Sequence, residues 1–597
     1  MNAPFKPESL PEWRLDDLYV GRDDPRIETD LASAVAFNTE LKALEGQFVA
    51  VRAEPKVLGE RIDRGIELYE LALNKLWGVG AYASLAASTA RDDAGWAKFE
   101  ADLRARASQI GAESLYFTLE LNQLEDVEIA AALKAHPAAQ RWSPWLRRVR
   151  LSRPHELSAE AERMIVDRAP ATANWSRLYD ETLARLTSKV GRETLTLPDA
   201  LHRLSDPDVG RRKAAAQGLA KALEDRASVL GLSLNTLAFE KQVEDRWRKY
   251  ETPAQGRHLA NEVDAAAVDA MEAAVVEAYP RLSHRYYALK AKVMGRKSLD
   301  YWDRNAPLDA ASPRVYGWDE AKSMVLDSFE ALSPTFAETA RGFFTQGWID
   351  ARPRPGKQSG AYSHPVTADR HPYVFLNFMG ERRDVLTLAH ELGHAVHQTL
   401  AAPLGTLLAD TPLTLAETAS IFGEGLVFER LLAEATPADR RALLAGKIED
   451  GLNTVVRQIA FHRFETRFHA ARQAGELSVD QIGGLWREVM AESLGPAVKL
   501  NPGYEYYWAY VGHFVHSPFY VYAYAFGNLL VEALMEKRRE DPAGFTPKYQ
   551  ALLAGGGAQT YVEALAPFGL DAREKAFWAA GCARLERLVD QFEALVD

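Results

Sequence analysis

The sequence predicts a mainly α-helical protein, and three observations carry that expectation. Apolar residues recur at spacings of three and four through several windows of about 30 residues, which gives a helix one buried stripe. Ala and Leu are frequent, with Glu and Arg on the other faces, and these residues favour helix. Only one stretch, from about Trp348 to Gly380, changes texture enough to suggest a strand.

In chain order, the helical texture covers Leu58–Ala87, Ala94–Leu124, Val209–Leu237 and Ala260–Val293. Breaks separate these runs. Pro154 precedes Ser158, which reads as an N-cap, and Asp208 reads as another after Asp206-Pro207. The stretch of changed texture holds Pro353, Pro355, Gly356, Gly360, Pro365 and Pro372, followed by Tyr373-Val-Phe-Leu-Asn-Phe378. A short apolar run bounded by Gly and Pro predicts a strand. A boundary is placed near residue 200. It divides an N-terminal helical lobe (1–200) from a larger C-terminal domain (201–597). The cluster Arg141, Arg147, Arg148, Arg150 and Arg153 is expected to be a solvated helix face rather than a binding patch.

Composition removes several classes. Hydrophobic residues at 47% and charged residues at 26% are ordinary for a folded chain of 597 residues, which is long enough to bury a large core. The net charge of −12 disfavours sequence-independent binding of nucleic acid, which needs a basic surface. The single cysteine, Cys582, cannot form an internal disulfide or a four-Cys zinc site. The start MNAPFKPESLPEW has no basic stretch followed by an apolar run, and no window approaches 18 uninterrupted apolar residues. The expectation is therefore a cytoplasmic protein with neither signal peptide nor membrane span. Gly555-Gly-Gly557 is not followed by the Gly-Lys-Ser/Thr of a phosphate loop.

The chemistry concentrates in Leu386–Leu400, LTLAHELGHAVHQTL. Residues i and i+4 share a helix face about one turn apart, so the imidazoles of His390 and His394 can converge on one ion. Glu391 can reach a water on that ion as general base. With 14 His in the chain, roughly 0.03 chance matches to this pattern are expected. Leu386, Leu388, Ala389, Leu392, Ala395 and Val396 predict a largely buried helix, and Gly393 leaves room for close approach of another element.

Catalytic zinc usually takes three protein ligands and a water. Glu417, 23 residues after His394, lies in the next helical stretch and can supply the third. Ser420 and Glu424 share its side, and either can support the site through the ligands. His397 is expected to be a nearby polar group rather than a ligand. Such a centre activates water for attack on an amide, with one Zn2+ per chain as the expected cofactor. The oxyanion that forms needs further donors. Tyr504–Asn528 carries seven tyrosines together with His513 and His516, more polar-tipped rings than a core needs. His513, Tyr520 and Tyr524 share a helical phase that Pro518 can break.

These residues resemble the oligoendopeptidase F branch of the thimet-oligopeptidase-like zinc peptidases. The resemblance rests on Gly360-Ala-Tyr362, Leu376-Asn-Phe378, Asp384 through Ala395, Ala416-Glu-Thr-Ala-Ser420, and His513-Phe514 leading into Pro518-Phe-Tyr-Val-Tyr522. Looser similarity reaches Trp13–Tyr19 and Trp175–Asp180. It implies two helical lobes flanking a deep substrate channel, with a small β-sheet beside a zincin-type active site. Tyr373–Phe378 is the candidate edge for pairing with extended substrate. It implies zinc ligands His390, His394 and Glu417, the general base Glu391, and His513 near the oxyanion. Relatives in the thimet branch carry a tyrosine where this chain has Pro518, so Tyr520 and Tyr522 are the candidate replacements. The implied activity is endopeptidase cleavage of short unstructured peptides. A carboxypeptidase or dipeptidyl carboxypeptidase, or a catalytically silent peptide-binding protein, is the alternative.

Overall fold

The computed structural model describes residues 7–308 and 314–596. It is 72% helical, with only small sheets of two or three strands, so the protein is mainly α as its periodicity predicts. Each of two compact units is assembled from three separate stretches. The first comprises Met1–Arg153, Pro313–Leu431 and Asp541–Phe568, and the second Pro154–Ser312, Leu432–Glu540 and Gly569–Asp597.

Within the first unit, the helix Pro55–Ser88 buries a stripe that includes Leu58, Ile62, Ile66 and Leu76. Its core continues through Phe48, Phe117 and Trp145. The expected helix Ala94–Leu124 is two helices, Ala94–Ala112 and Leu115–Asn122. At the break the Ser114 hydroxyl donates to the Gly111 carbonyl, an alternative that serine offers a helical backbone. Three members of the arginine cluster are neither a solvated face nor an open patch. Arg148 donates to the carbonyls of Leu407 and Asp410, Arg150 to those of Leu121 and Leu124, and Arg153 to that of Asn122.

The sheet corrects one expectation. Its strands run in the order Ile349–Asp350, Tyr373–Phe375, Tyr362–His364. The Tyr373 run pairs parallel with the first and antiparallel with the last, so it is the central strand and not the edge. All three of its side chains are buried, and Trp13 packs on Tyr373 and Phe375 with ring centroids 5.8 and 5.6 Å away. A continuous apolar run marks a strand covered on both sides, which disqualifies it as an open edge. Tyr362–His364 lies at a sheet edge instead.

Within the second unit, Ser158 and Asp208 cap their helices as expected, accepting from the backbone N–H of Ala161 and Arg211. The run Val209–Leu237 is divided into Val209–Glu224 and Ala227–Trp247. The run Ala260–Val293 is interrupted by a wide turn at Pro280–His284, where proline supplies no backbone donor. The last helix, Lys575–Glu593, packs on Tyr522–Glu540 so closely that a Cβ on Gly581 would meet the Leu529 carbonyl oxygen at 2.7 Å.

Candidate metal centre

The motif helix spans Arg382–Ala401 and begins with a reciprocal capping box between Glu381 and Asp384. It buries Val385, Leu388, Ala389, Leu392, Ala395 and Val396 completely. A second helix, Thr418–Glu434, crosses it at Gly393. A Cβ there would lie 2.4 Å from the Ala419 carbonyl oxygen, so a side chain at 393 would push the two backbones apart. The glycine costs about 1 kcal/mol of helix propensity and permits the contact that brings Glu417 within reach. Tyr549, its ring tilted against Phe422 at 4.6 Å, donates to the Thr418 carbonyl and helps hold that crossing.

His390, His394 and Glu417 each present one donor atom, and all three atoms lie within 4.8 Å of one another. The Nε2 atoms of both histidines are 3.5 Å from Glu417 Oε2. The rings are nearly perpendicular, 79° apart with centroids at 4.9 Å. Two imidazole nitrogens and one carboxylate oxygen, gathered but not packed into direct contact, are the donor set and spacing that suit a small divalent cation. Ser420 Oγ donates to Glu417 Oε2 at 2.7 Å, and Glu424 Oε2 lies 3.6 Å from His390 Nδ1. Both supporting residues named from sequence therefore reach a different member of the trio.

Electrostatics separate the carboxylates. Burial pushes the Glu417 carboxyl up, but the hydrogen bond and charge of His394, with His390 and Ser420, outweigh it and bring the group down to about 2. Burial raises the Glu391 carboxyl, only partly opposed by His390 and His394 and by the backbone of Ser363. Glu391 is thus the more readily protonated of the two. Burial lowers His390, and the carboxylates of Glu424, Glu417 and Glu391 more than restore it. His397 stands outside the trio, buried in the same helix, with burial holding it down to about 4.

The downstream aromatic residues belong to the second unit. His513 Nε2 is 3.1 Å from the Tyr524 hydroxyl, and its ring stacks with Tyr520 at 6.2 Å. Tyr520 and Tyr524 meet edge-on at 5.3 Å. Tyr522 is elsewhere. Its ring is fully buried, Asn261 donates to its hydroxyl at 2.9 Å, and His258 Nδ1 lies 3.0 Å from the same oxygen. Of the two tyrosines put forward for the oxyanion, one joins His513 and the other is a core residue. Tyr524 joins His513 and Tyr520 in that cluster. The helical phase that Tyr524 shares with His513 and Tyr520 is the signal for it, and the three side chains meet in spite of Pro518.

Two family descriptions match the chain: Peptidase family M3 over residues 203–584, and Oligopeptidase F over residues 120–187. An oligoendopeptidase F homolog of Lactococcus lactis subsp. lactis (strain IL1403) is 29% identical over 391 residues, covering 65% of this chain and 64% of that protein. Group B oligopeptidase PepB of Streptococcus agalactiae serotype III (strain NEM316) is 25% identical over 548 residues, 89% of this chain and 90% of that protein. Among solved structures, a putative peptidase from Chlamydophila abortus shares the fold with a TM-score of 0.88 at 21% identity, over 99% of both chains.

Proposed function

Because this chain belongs to peptidase family M3, we propose that it is a zinc-dependent endopeptidase that hydrolyses internal bonds of short unstructured peptides. The observation that carries the reading is the convergence of His390, His394 and Glu417 within 4.8 Å, with Glu391 buried one residue along the motif helix. In this reading those three side chains hold one Zn2+ per chain. When bound, zinc makes water acidic and polarises a carbonyl. Glu391 accepts a proton from the attacking water as the new C–O bond forms. It returns that proton to the amide nitrogen as the C–N bond breaks, so the amine leaves neutral. Ser420 and Glu424 keep Glu417 and His390 oriented.

The resemblance assigns oxyanion stabilisation to His513, and the ring contacts support Tyr520 or Tyr524 as its companion. Tyr522 is retained as a structural residue. The boundary near residue 200 is kept as a boundary between family modules, since the two matches end at 187 and begin at 203. Cytoplasmic location is part of the proposal, supported by a single cysteine, Cys582, which has no second cysteine to pair with. Among the described residues no helix is long and apolar enough to cross a membrane.

Digestion of a mixed peptide library, followed by mass spectrometry with and without chelator, tests the reading. Internal cleavage of peptides blocked at both ends, abolished by chelator and restored by zinc, is the expected result. Trimming only from a free C-terminus would make it an exopeptidase. Tight peptide binding without turnover by the zinc-loaded protein would make it a binding protein.

A further inference from the structure

The turn that presents Tyr520 is strained and clamped, and all of its clamps lie in the second unit. Phe519 adopts a φ of +59°, an outlier for a bulky residue. Such a backbone persists only where the surroundings enforce it, and it collects at functional sites. The enforcement is explicit here. Glu465 accepts the Phe519 N–H at 2.7 Å, and the Phe519 ring lies 4.9 Å from that of His469. The Tyr520 N–H closes the turn on the Ser517 carbonyl at 3.0 Å.

A second clamp comes from far away in the chain. The short helix Gln255–Ala260, with Asn261 just after it, grips the same segment at several points. His258 Nδ1 lies 3.0 Å from the Tyr522 hydroxyl, which accepts from Asn261 at 2.9 Å. These bonds fix the helix against the core. Arg257, between them and the turn, reaches forward twice. Its Nε donates to the Pro518 carbonyl at 3.3 Å, and its guanidinium carbon sits 5.5 Å from the centre of the Tyr520 ring. That distance is within the range at which a cation is attracted to an aromatic face. One side chain thus holds both the backbone ahead of Tyr520 and its ring.

Resting on the peptidase reading, with Tyr520 as the companion of His513 at the oxyanion, we infer that Arg257 is a positioning residue for that step: it fixes the Tyr520 ring and makes its hydroxyl a stronger donor. A positive charge against the ring stabilises the negative charge that a phenol gains as it shares its proton with an anion. A donor held and polarised before the reaction costs no reorganisation when charge develops on the substrate oxygen. The benefit belongs to the transition state, so it falls on kcat and not on KM. Glu465 is compatible with this role. Arg257 is near enough to oppose the rise of its carboxyl, yet burial still pushes that group up to about 8, so near neutral pH no carboxylate charge there offsets the guanidinium.

The test is a double-mutant cycle on zinc-loaded enzyme, with a fluorogenic peptide blocked at both ends and drawn from those the enzyme cleaves. Arg257→Gln should lower kcat about tenfold, with KM and zinc content unchanged. Arg257→Lys keeps the charge but not the flat fork, and should lose only about threefold. Tyr520→Phe should lower kcat on the order of 10²-fold. In the Tyr520→Phe background, Arg257→Gln should then cost less than about twofold, because the hydroxyl it serves is gone. An arginine that merely supports the fold would cost the same with and without that hydroxyl. If circular dichroism shows that Arg257→Gln does not fold, Arg257→Lys runs the same cycle, and its loss should vanish in the Tyr520→Phe background.

Wild-type kcat in the folded Arg257 variant, or an equal loss in both backgrounds, would overturn the role of Arg257 and leave Tyr520 and the peptidase reading standing. Wild-type kcat in Tyr520→Phe would overturn Tyr520 and Arg257 together. A zinc-loaded enzyme that cleaves no peptide at all would overturn the peptidase reading with them.

Discussion

The candidate metal centre and the aromatic cluster around His513 are built by different means. At the candidate metal centre one helical turn separates His390 from His394, and Glu417 sits at the break just ahead of a second helix that carries Ser420 and Glu424. Around His513 the backbone is irregular. A short helix, His513–His516, ends at Ser517, Phe519 takes a φ of +59°, and a new helix starts at Tyr522. Yet His513, Tyr520 and Tyr524 still meet. Buried Glu465 holds the irregular turn, accepting the Phe519 N–H at 2.7 Å. Helical spacing thus predicts a site when the helix is continuous. Where it breaks, the tertiary anchor decides which side chains converge.

The largest effect separates the two regions by chemistry. Glu391→Gln should keep its zinc, measured by atomic absorption, and lose on the order of 10²–10⁴-fold in kcat. Loss of metal in that variant would make Glu391 a ligand and break the division of labour with Glu417.

The aromatic cluster gives the next. Removing a true oxyanion donor costs on the order of 10²–10³-fold in kcat with metal content unchanged. That loss should fall on Tyr520→Phe or Tyr524→Phe. Tyr522→Phe should instead lower thermal stability, because Asn261 and His258 lose a buried partner. A turnover defect confined to Tyr522→Phe would reverse the assignment.

A smaller change sharpens the metal side. Ser420→Ala removes the 2.7 Å hydrogen bond to Glu417 and should weaken zinc binding about 10–100-fold in a competition titration with a chelator. Unchanged affinity would show that the crossing at Gly393 alone orients the carboxylate.

The last concerns stability. Burial pushes the Glu465 carboxyl up to about 8 from an ordinary 4.5. The folded state therefore binds more protons than the unfolded one between those values, and stability falls as pH rises through that window. Below about 4.5 the penalty is absent, and above about 8 it is complete. Glu465→Gln keeps an acceptor for Phe519 and should raise the apparent melting temperature at pH 7, by the equivalent of about 3 kcal/mol, but not at pH 4.5. Equal gains at both values would locate the effect in packing instead of titration.

The difference between the regions also explains what was legible in the sequence. The motif helix, its buried face and the purpose of Gly393 follow from residue type and spacing, because a helix fixes the angle between neighbours whatever surrounds it. The helix breaks at Ser114 and Pro280 were blurred, since apolar periodicity continues across a cap or a wide turn. The strand at Tyr373 was recognisable, but its place in the sheet was not: complete burial made it attractive and also made it central. Tyr520 and Tyr522, two residues apart, are equal candidates by sequence, but one stacks on His513 and the other is buried against Asn261.

By itself the sequence determined a mainly helical chain with a His-Glu-x-x-His face and a distant carboxylate able to complete it. Those properties depend on local spacing and on the chemistry of single side chains. Tertiary packing alone brings Glu417 within 3.5 Å of both imidazoles and settles which strand lies at the sheet edge. Each of these depends on segments far apart in the chain packing to a fixed distance. No local pattern encodes that distance, because it is set by the volumes and hydrogen bonds of everything between.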